Sequence, residues 1–161
     1  MAFFEFIQKA AIEKTHSAMI SWIFSANCHA ISELDKIDIL AEITEEKFDK
    51  DDRVLSTITE YNYIDILIIT TKCVIAIENK IKIREHDNQL IKYDEVLKSC
   101  YENKKHFKIY LDIIGEKINK TGWKSITYKD LLKAISSKEK CDEIDYYFLQ
   151  DYMDNIKKMT S

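Results

Sequence analysis

The chain has 161 residues, enough for one domain with its own core, and 46% hydrophobic against 32% charged residues excludes wholesale disorder. Pro is absent and Gly occurs only as Gly115 and Gly122, which excludes collagen-like repeats, Gly-rich phosphate loops and dinucleotide fingerprints. The net charge of −4, with Lys far outnumbering Arg (only Arg53 and Arg84), argues against a basic nucleic-acid clamp. Phosphates would have to be neutralised by a local group of Lys or by a metal.

In chain order, Phe3 to Phe24 carries apolar residues at helical spacing, and Asn27-Cys28-His29 reads as its stop. Ser32 to about Phe48 reads as a second helix through Ile37, Leu40, Ala41 and Ile43. Glu45-Glu46 and Asp49-Lys50-Asp51-Asp52 read as a solvated acidic loop. The character then changes to β-branched runs: 54–60, 63–69 and 73–77, the last two separated by Thr70-Thr71-Lys72 as in a hairpin. Helical periodicity returns from His86 to Asn103, followed by a strand candidate from Phe107 to Ile114 and a loop or short strand at Gly122-Trp123. Thr127 to Ser136 and Glu143 to Lys158 read as the closing helices. This order predicts a single α/β domain over 1–161, a mixed central sheet flanked by helices.

No apolar run approaches the roughly 18 residues that cross a bilayer, so no membrane contact is expected. The N-terminus lacks a basic region and carries Glu5, unlike a signal peptide, and the four Cys stand far apart without a Cys-x-x-Cys. A cytoplasmic location with reduced thiols is the expectation.

The chemistry lies in the hairpin. A turn centred on Thr71-Lys72 places Asp65 opposite Glu78 and Tyr63 opposite Lys80. Opposed residues share a face with Cβ atoms about 4.5–5.5 Å apart, so two carboxylates and an ammonium meet among apolar neighbours. Adjacent carboxylates in such a setting repel, and a divalent cation resolves the conflict. Mg²⁺ (or Mn²⁺ in its place) suits one or two carboxylates with retained waters, and a neighbouring Lys can orient or deprotonate an attacking water. The competing reading is an exposed salt-bridge cluster on an edge strand.

The surrounding residues resemble the PD-(D/E)XK nuclease superfamily, in particular a bacterial branch with the core Ile64-Asp65-Ile66-Leu67, Ile77-Glu78-Asn79-Lys80-Ile81 and Asn88-Gln89-Leu90-Ile91-Lys92-Tyr93. Glu13 with His16-Ser17 before Trp22, and Trp123 before Thr127-Tyr128, extend the likeness over roughly residues 13–135. The Pro of the nominal motif is missing. The resemblance implies a restriction-endonuclease-like core and a metal-dependent nuclease with DNA as the expected substrate. It implies Asp65, Glu78 and Lys80 as catalytic residues, and Glu13, Asp65, Glu78 and the Asn79 carbonyl as metal ligands. Gln89 is expected to touch the site or the nucleic acid.

Glu60 and His16 are carried as flanking candidates. Glu60 is either an outer carboxylate or a solvated strand end; His16 is either a phosphate partner or a structural hydrogen-bonder. Lys98, Lys104, Lys105, His106, Lys117, Lys120 and Lys124 are candidates for phosphate contact. The Tyr146-Tyr147-Phe148 run is expected in the core or at an interface, and a homodimer would give a double-strand cutter its two sites. A catalytically silent, nuclease-like interaction module is the alternative function.

Overall fold

The structure, a computed structural model, describes residues 3, 12–81, 87–115, 118 and 120–161, with side chains for all of these but 87–89. The predicted first helix before residue 12 therefore lies, apart from Phe3, outside the described residues. Its second half forms α1 (Glu13–Phe24), burying His16, Ser17, Ile20, Ile23 and Phe24 on one face. Helix α2 (Glu33–Thr44) starts where Ser32 Oγ accepts from the Asp35 amide at 3.1 Å, a side-chain N-cap. It ends four residues earlier than Phe48 because Glu45 turns left-handed, with φ 55°, and its N–H closes back on Ala41 and Glu42.

Five strands follow, β1 (Val54–Tyr61), β2 (Ile64–Thr70), β3 (Cys73–Lys80), β4 (Lys105–Asp112) and β5 (Trp123–Thr127), in spatial order 1-2-3-4-5. The first three form an antiparallel meander; β3–β4 and β4–β5 are parallel. Helix α3 (Asp87–Cys100) makes the crossover from β3 to β4, the device that parallel pairing requires. Helix α4 (Tyr128–Ser136) opens on a capping box at Thr127 and Asp130, and α5 (Glu143–Thr160) is capped by Asp142. The mixed, helix-flanked sheet is the α/β architecture expected, and no helix among the described residues is long and apolar enough to cross a membrane.

The hairpin pairs as its spacing predicts: Ile66↔Ile77, Leu67↔Ala76, Ile68↔Ile75 and Ile69↔Val74. Alternation sorts the side chains of both strands. Ile66, Ile68, Ile75 and Ile77 face the larger core with α1, α2, α4 and α5; Leu67, Val74 and Ala76 face α3, where Leu90, Tyr93 and Leu97 cover them. β3 is the central strand and is buried along its whole length.

The acidic loop departs from the expectation of full solvation. Asp52 is wholly buried: its carboxylate accepts from the Arg53 amide (2.9 Å), Thr70 Oγ1 (3.1 Å) and the Lys72 amide (3.4 Å), clamping the β2–β3 turn. Asp49 and Asp51 stay in solvent and pair with Lys72 Nζ. The sequence does not separate these three Asp, because the donors that distinguish Asp52 come from residues about twenty positions away. Asp52→Ala leaves these donors without their acceptor and is expected to destabilise the domain by about 2–4 kcal/mol, read from the urea midpoint, whereas Asp51→Ala changes little.

Candidate active site

The site stands at the end of the β2–β3 hairpin, on the face that α3 covers. Continued alternation from Ala76 brings Glu78 and Lys80 to that face, and Asp65 joins them from β2. Glu78 is fully buried and Lys80 is 7% exposed, which excludes an exposed pairing on an edge strand. Lys80 Nζ lies 2.6 Å from Glu78 Oε1 as an ion pair, but at an angle outside hydrogen-bond geometry, so that oxygen holds no directed hydrogen bond. Asp65 Oδ2 accepts from the Asn79 amide at 2.8 Å.

Tyr93 ties the two acids together. Its hydroxyl donates to Glu78 Oε2 and accepts from the Asp65 amide at 2.8 Å. The ring is fully buried beside Trp123, 5.4 Å between centroids, so the helix cannot easily withdraw it. Burial and the adjacent acids push the phenol well above its usual range, keeping it a donor to Glu78. Periodicity marks Tyr93 only as a buried helix residue; its role is visible only once α3 is laid over β3.

Burial, and then the nearby Glu78 charge, raise the Asp65 carboxyl to about 7. A buried acid held that high beside a second carboxylate, one of whose oxygens lacks a directed partner, is an unrelieved concentration of oxygen ligands. This donor set fits a small hard cation such as Mg²⁺, which takes one or two carboxylates and keeps waters. Asp65 and Glu78 would hold it, with the carbonyl of Asn79, the residue after Glu78. Such an ion supplies Lewis-acid activation of a phosphoryl oxygen and of bound water. Lys80, anchored by Glu78, is placed to orient a nucleophile or to meet developing negative charge.

The other expected residues divide. Glu13 reaches the end of β3: its Oε1 accepts from the Ile81 amide at 3.2 Å, and its main-chain oxygen accepts from Asn79 Nδ2 at 3.0 Å. It does not converge with the pair, since no three His, Cys, Asp or Glu side chains among the described residues gather closely enough to hold a metal. The Asn79 side chain points the other way, into the larger core, where Nδ2 donates to Ser17 Oγ (3.0 Å) and Oδ1 accepts from the Tyr128 hydroxyl. His16 is wholly buried, with Nδ1 2.9 Å from the Tyr152 hydroxyl and its ring edge-on to Tyr128, whose hydroxyl bonds Asn79. Glu60 is 60% exposed at the end of β1 and pairs with Lys14 at 3.1 Å. Gln89 lies on the first turn of α3, but its side chain is outside the described residues, as is Lys117.

The Lys104–His106 group is at the wrong end of the sheet for this site. Lys105 pairs with Cys73, seven residues or about 23 Å along β3 from Lys80. Lys104 caps the Thr70 and Thr71 carbonyls, and Lys105 and Lys124 pair with Glu46 and Glu45.

A half-parallel, half-antiparallel sheet with paired acids and a Lys at the end of its central strand defines a nuclease-like α/β protein of the restriction-endonuclease type. The chain belongs to the PD-(D/E)XK nuclease superfamily, which it matches over residues 1–161. Members of that superfamily typically use divalent metals. No curated protein and no solved structure matches the chain.

Proposed function

We propose that the protein is a Mg²⁺-dependent nuclease that hydrolyses phosphodiester bonds in DNA and works in the cytoplasm. The observation that carries this reading is the Asp65–Glu78 pair, buried at the end of the central strand with Lys80 against it. Two acids in that position are costly for folding alone and useful once a cation is bound. In this reading Asp65, Glu78 and the Asn79 carbonyl bind the metal, and Glu13 reaches it through water. Lys80 assists the attacking water. Gln89, at the start of α3, serves substrate binding; Glu60 and His16 act from further out, Glu60 through Lys14 and His16 through Tyr128 and Asn79. Should both strands of a duplex be cut, exposed Ile144, Tyr147 and Phe148 on α5 supply an apolar face for a second copy.

The test is cleavage of plasmid and single-stranded DNA in Mg²⁺, Mn²⁺ or EDTA, beside Glu78→Ala and Lys80→Ala. Metal-dependent cleavage is expected, with losses of about 10²–10⁴-fold in Lys80→Ala if it handles the water's proton, and no measurable activity in Glu78→Ala. A folded wild-type protein that neither cuts nor binds Mn²⁺ would overturn the reading and leave the silent interaction module.

A further inference from the structure

Asn79 breaks a pattern that its strand otherwise keeps. Alternation on β3 turns Ile75, Ile77 and Asn79 toward the larger core, while Glu78 and Lys80 face α3. Core packing alone would continue the apolar row at 79, since a buried amide costs stability unless its polar atoms are bonded. Here the side chain is wholly buried and bonded at both ends. Oδ1 accepts from the Tyr128 hydroxyl, and Nδ2 donates to the Glu13 main-chain oxygen and to Ser17 Oγ, each at 3.0 Å. Reversing the amide would set Oδ1 against the Glu13 carbonyl, so these partners fix a single orientation.

The fold brings Tyr128 to this place. Lys80 pairs with Asp112 and Asp112 with Thr127, so the three stand level across the sheet, and Tyr128 follows directly. The Thr127–Asp130 capping box holds this first turn of α4. Tyr128 is wholly buried, and burial pushes its phenol well above the usual range, so it stays a donor. On the β2 side the paired residues of β3 run only as far as Ile77, opposite Ile66. Two residues on, the Asn79 N–H goes to Asp65 Oδ2 instead, at 2.8 Å. The Lys80 carbonyl turns to β4, where it accepts from the Ile113 amide, so alternation turns the Asn79 carbonyl to the Asp65 side.

We propose that Tyr128 is a positioning residue of the active site: through the Asn79 amide it holds the Glu78-Asn79-Lys80 backbone, so that the Asn79 N–H stays on Asp65 and the Asn79 carbonyl stays in reach of a cation at the acid pair. This deepens, and rests on, the nuclease reading of the same site. The polar cluster stands where apolar side chains would pack because it sets this stretch of backbone.

The test compares wild type, Tyr128→Phe and the double variant Asn79→Leu/Tyr128→Phe as full chains. Melting and amide exchange in EDTA read stability and the bond to Asp65, Mn²⁺ titration reads metal affinity, and DNA cleavage reads KM and kcat. Tyr128→Phe leaves Asn79 Oδ1 buried without its donor and is expected to melt about 3–8 °C lower. The double variant replaces both partners by apolar groups of similar shape, and Ser17 can turn its hydroxyl to the Glu13 carbonyl. Its Tm returns to within about 3 °C of wild type. Its Mn²⁺ affinity and kcat nevertheless stay down by about 10–100-fold, with KM within about twofold. The amide at position 79 exchanges at least about tenfold faster relative to those of Ile75 and Ile77.

Recovery of metal affinity, kcat and amide protection together with Tm in the double variant would mark a residue that serves the fold alone, and overturns the proposal even if wild type cleaves. Should the double variant not fold, Tyr128→Phe below its transition decides: unchanged Mn²⁺ affinity and amide protection at 79 overturn the positioning role, and their loss supports it. Wild type that binds Mn²⁺ but cleaves nothing overturns the nuclease reading, while weaker Mn²⁺ binding in a stable double variant still supports the positioning role. Wild type that neither binds Mn²⁺ nor cleaves overturns both.

Discussion

Asp65→Asn is expected to abolish metal-dependent cleavage while making the metal-free protein more stable at pH 8. The Asn amide oxygen can still accept from the Asn79 amide, now 2.8 Å from Asp65 Oδ2, so the local geometry survives. What disappears is a charge that burial and Glu78 oppose, as shown by a carboxyl raised to about 7 from an ordinary 3.8. At pH 8 the wild-type chain ionises this acid in the folded state against that opposition, which costs up to about 4 kcal/mol. Activity should fall by at least about 10³-fold, since the cation loses one of its two carboxylates. Melting curves in EDTA check the stability half: the variant's advantage at pH 8 shrinks at pH 5 and vanishes below about pH 3, where Asp65 is protonated folded or unfolded. A variant less stable than wild type at pH 8 would show that the pair is not in conflict.

Divalent metal should relieve the same conflict, with a defined sign. Between about pH 4 and pH 7 the folded protein holds a proton on Asp65 that the unfolded chain has released. The unfolded state then binds fewer protons, so the contribution of Asp65 to stability is full below pH 4, falls as pH rises, and levels off above 7. Mg²⁺ or Mn²⁺ occupying the pair displaces that proton. Metal affinity should therefore climb through pH 6–8, and binding at pH 6.5 should release close to one proton, readable by calorimetry in buffers of different ionisation enthalpy. Saturation at about a hundred times Kd should add about 2.7 kcal/mol of stability, seen as a rise in Tm. Metal affinity flat across pH 6–8 would contradict the assignment of Asp65 as a ligand.

Elements that depend on neighbours in the chain were legible from the residues alone. The β2–β3 hairpin follows from two β-branched runs around Thr70-Thr71-Lys72, and its short turn sets the register, which sets the shared face of Asp65, Glu78 and Lys80. Helix spacing likewise marks the helices that begin at about Ser32 and Thr127, since hydrophobic periodicity is a local matter. The resemblance around residues 64–93 added roles to residues that spacing had already gathered.

Contacts between distant segments were decided only by the tertiary structure. An apolar strand reads the same at the edge or the centre of a sheet; the parallel ladder from β3 to β4, closed through α3, is what buries Glu78 and Lys80. The same crossover brings Tyr93 onto both acids and Lys92 onto Tyr63, joining residues 15 and 29 positions apart respectively at Glu78 and Tyr63. Asp52 goes inside and Asp51 stays out because only one of them meets the Thr70 and Lys72 donors. Local periodicity specifies which side of an element is apolar, but which other element covers it depends on packing over the whole chain, and there a charged side chain becomes either solvated surface or part of a site.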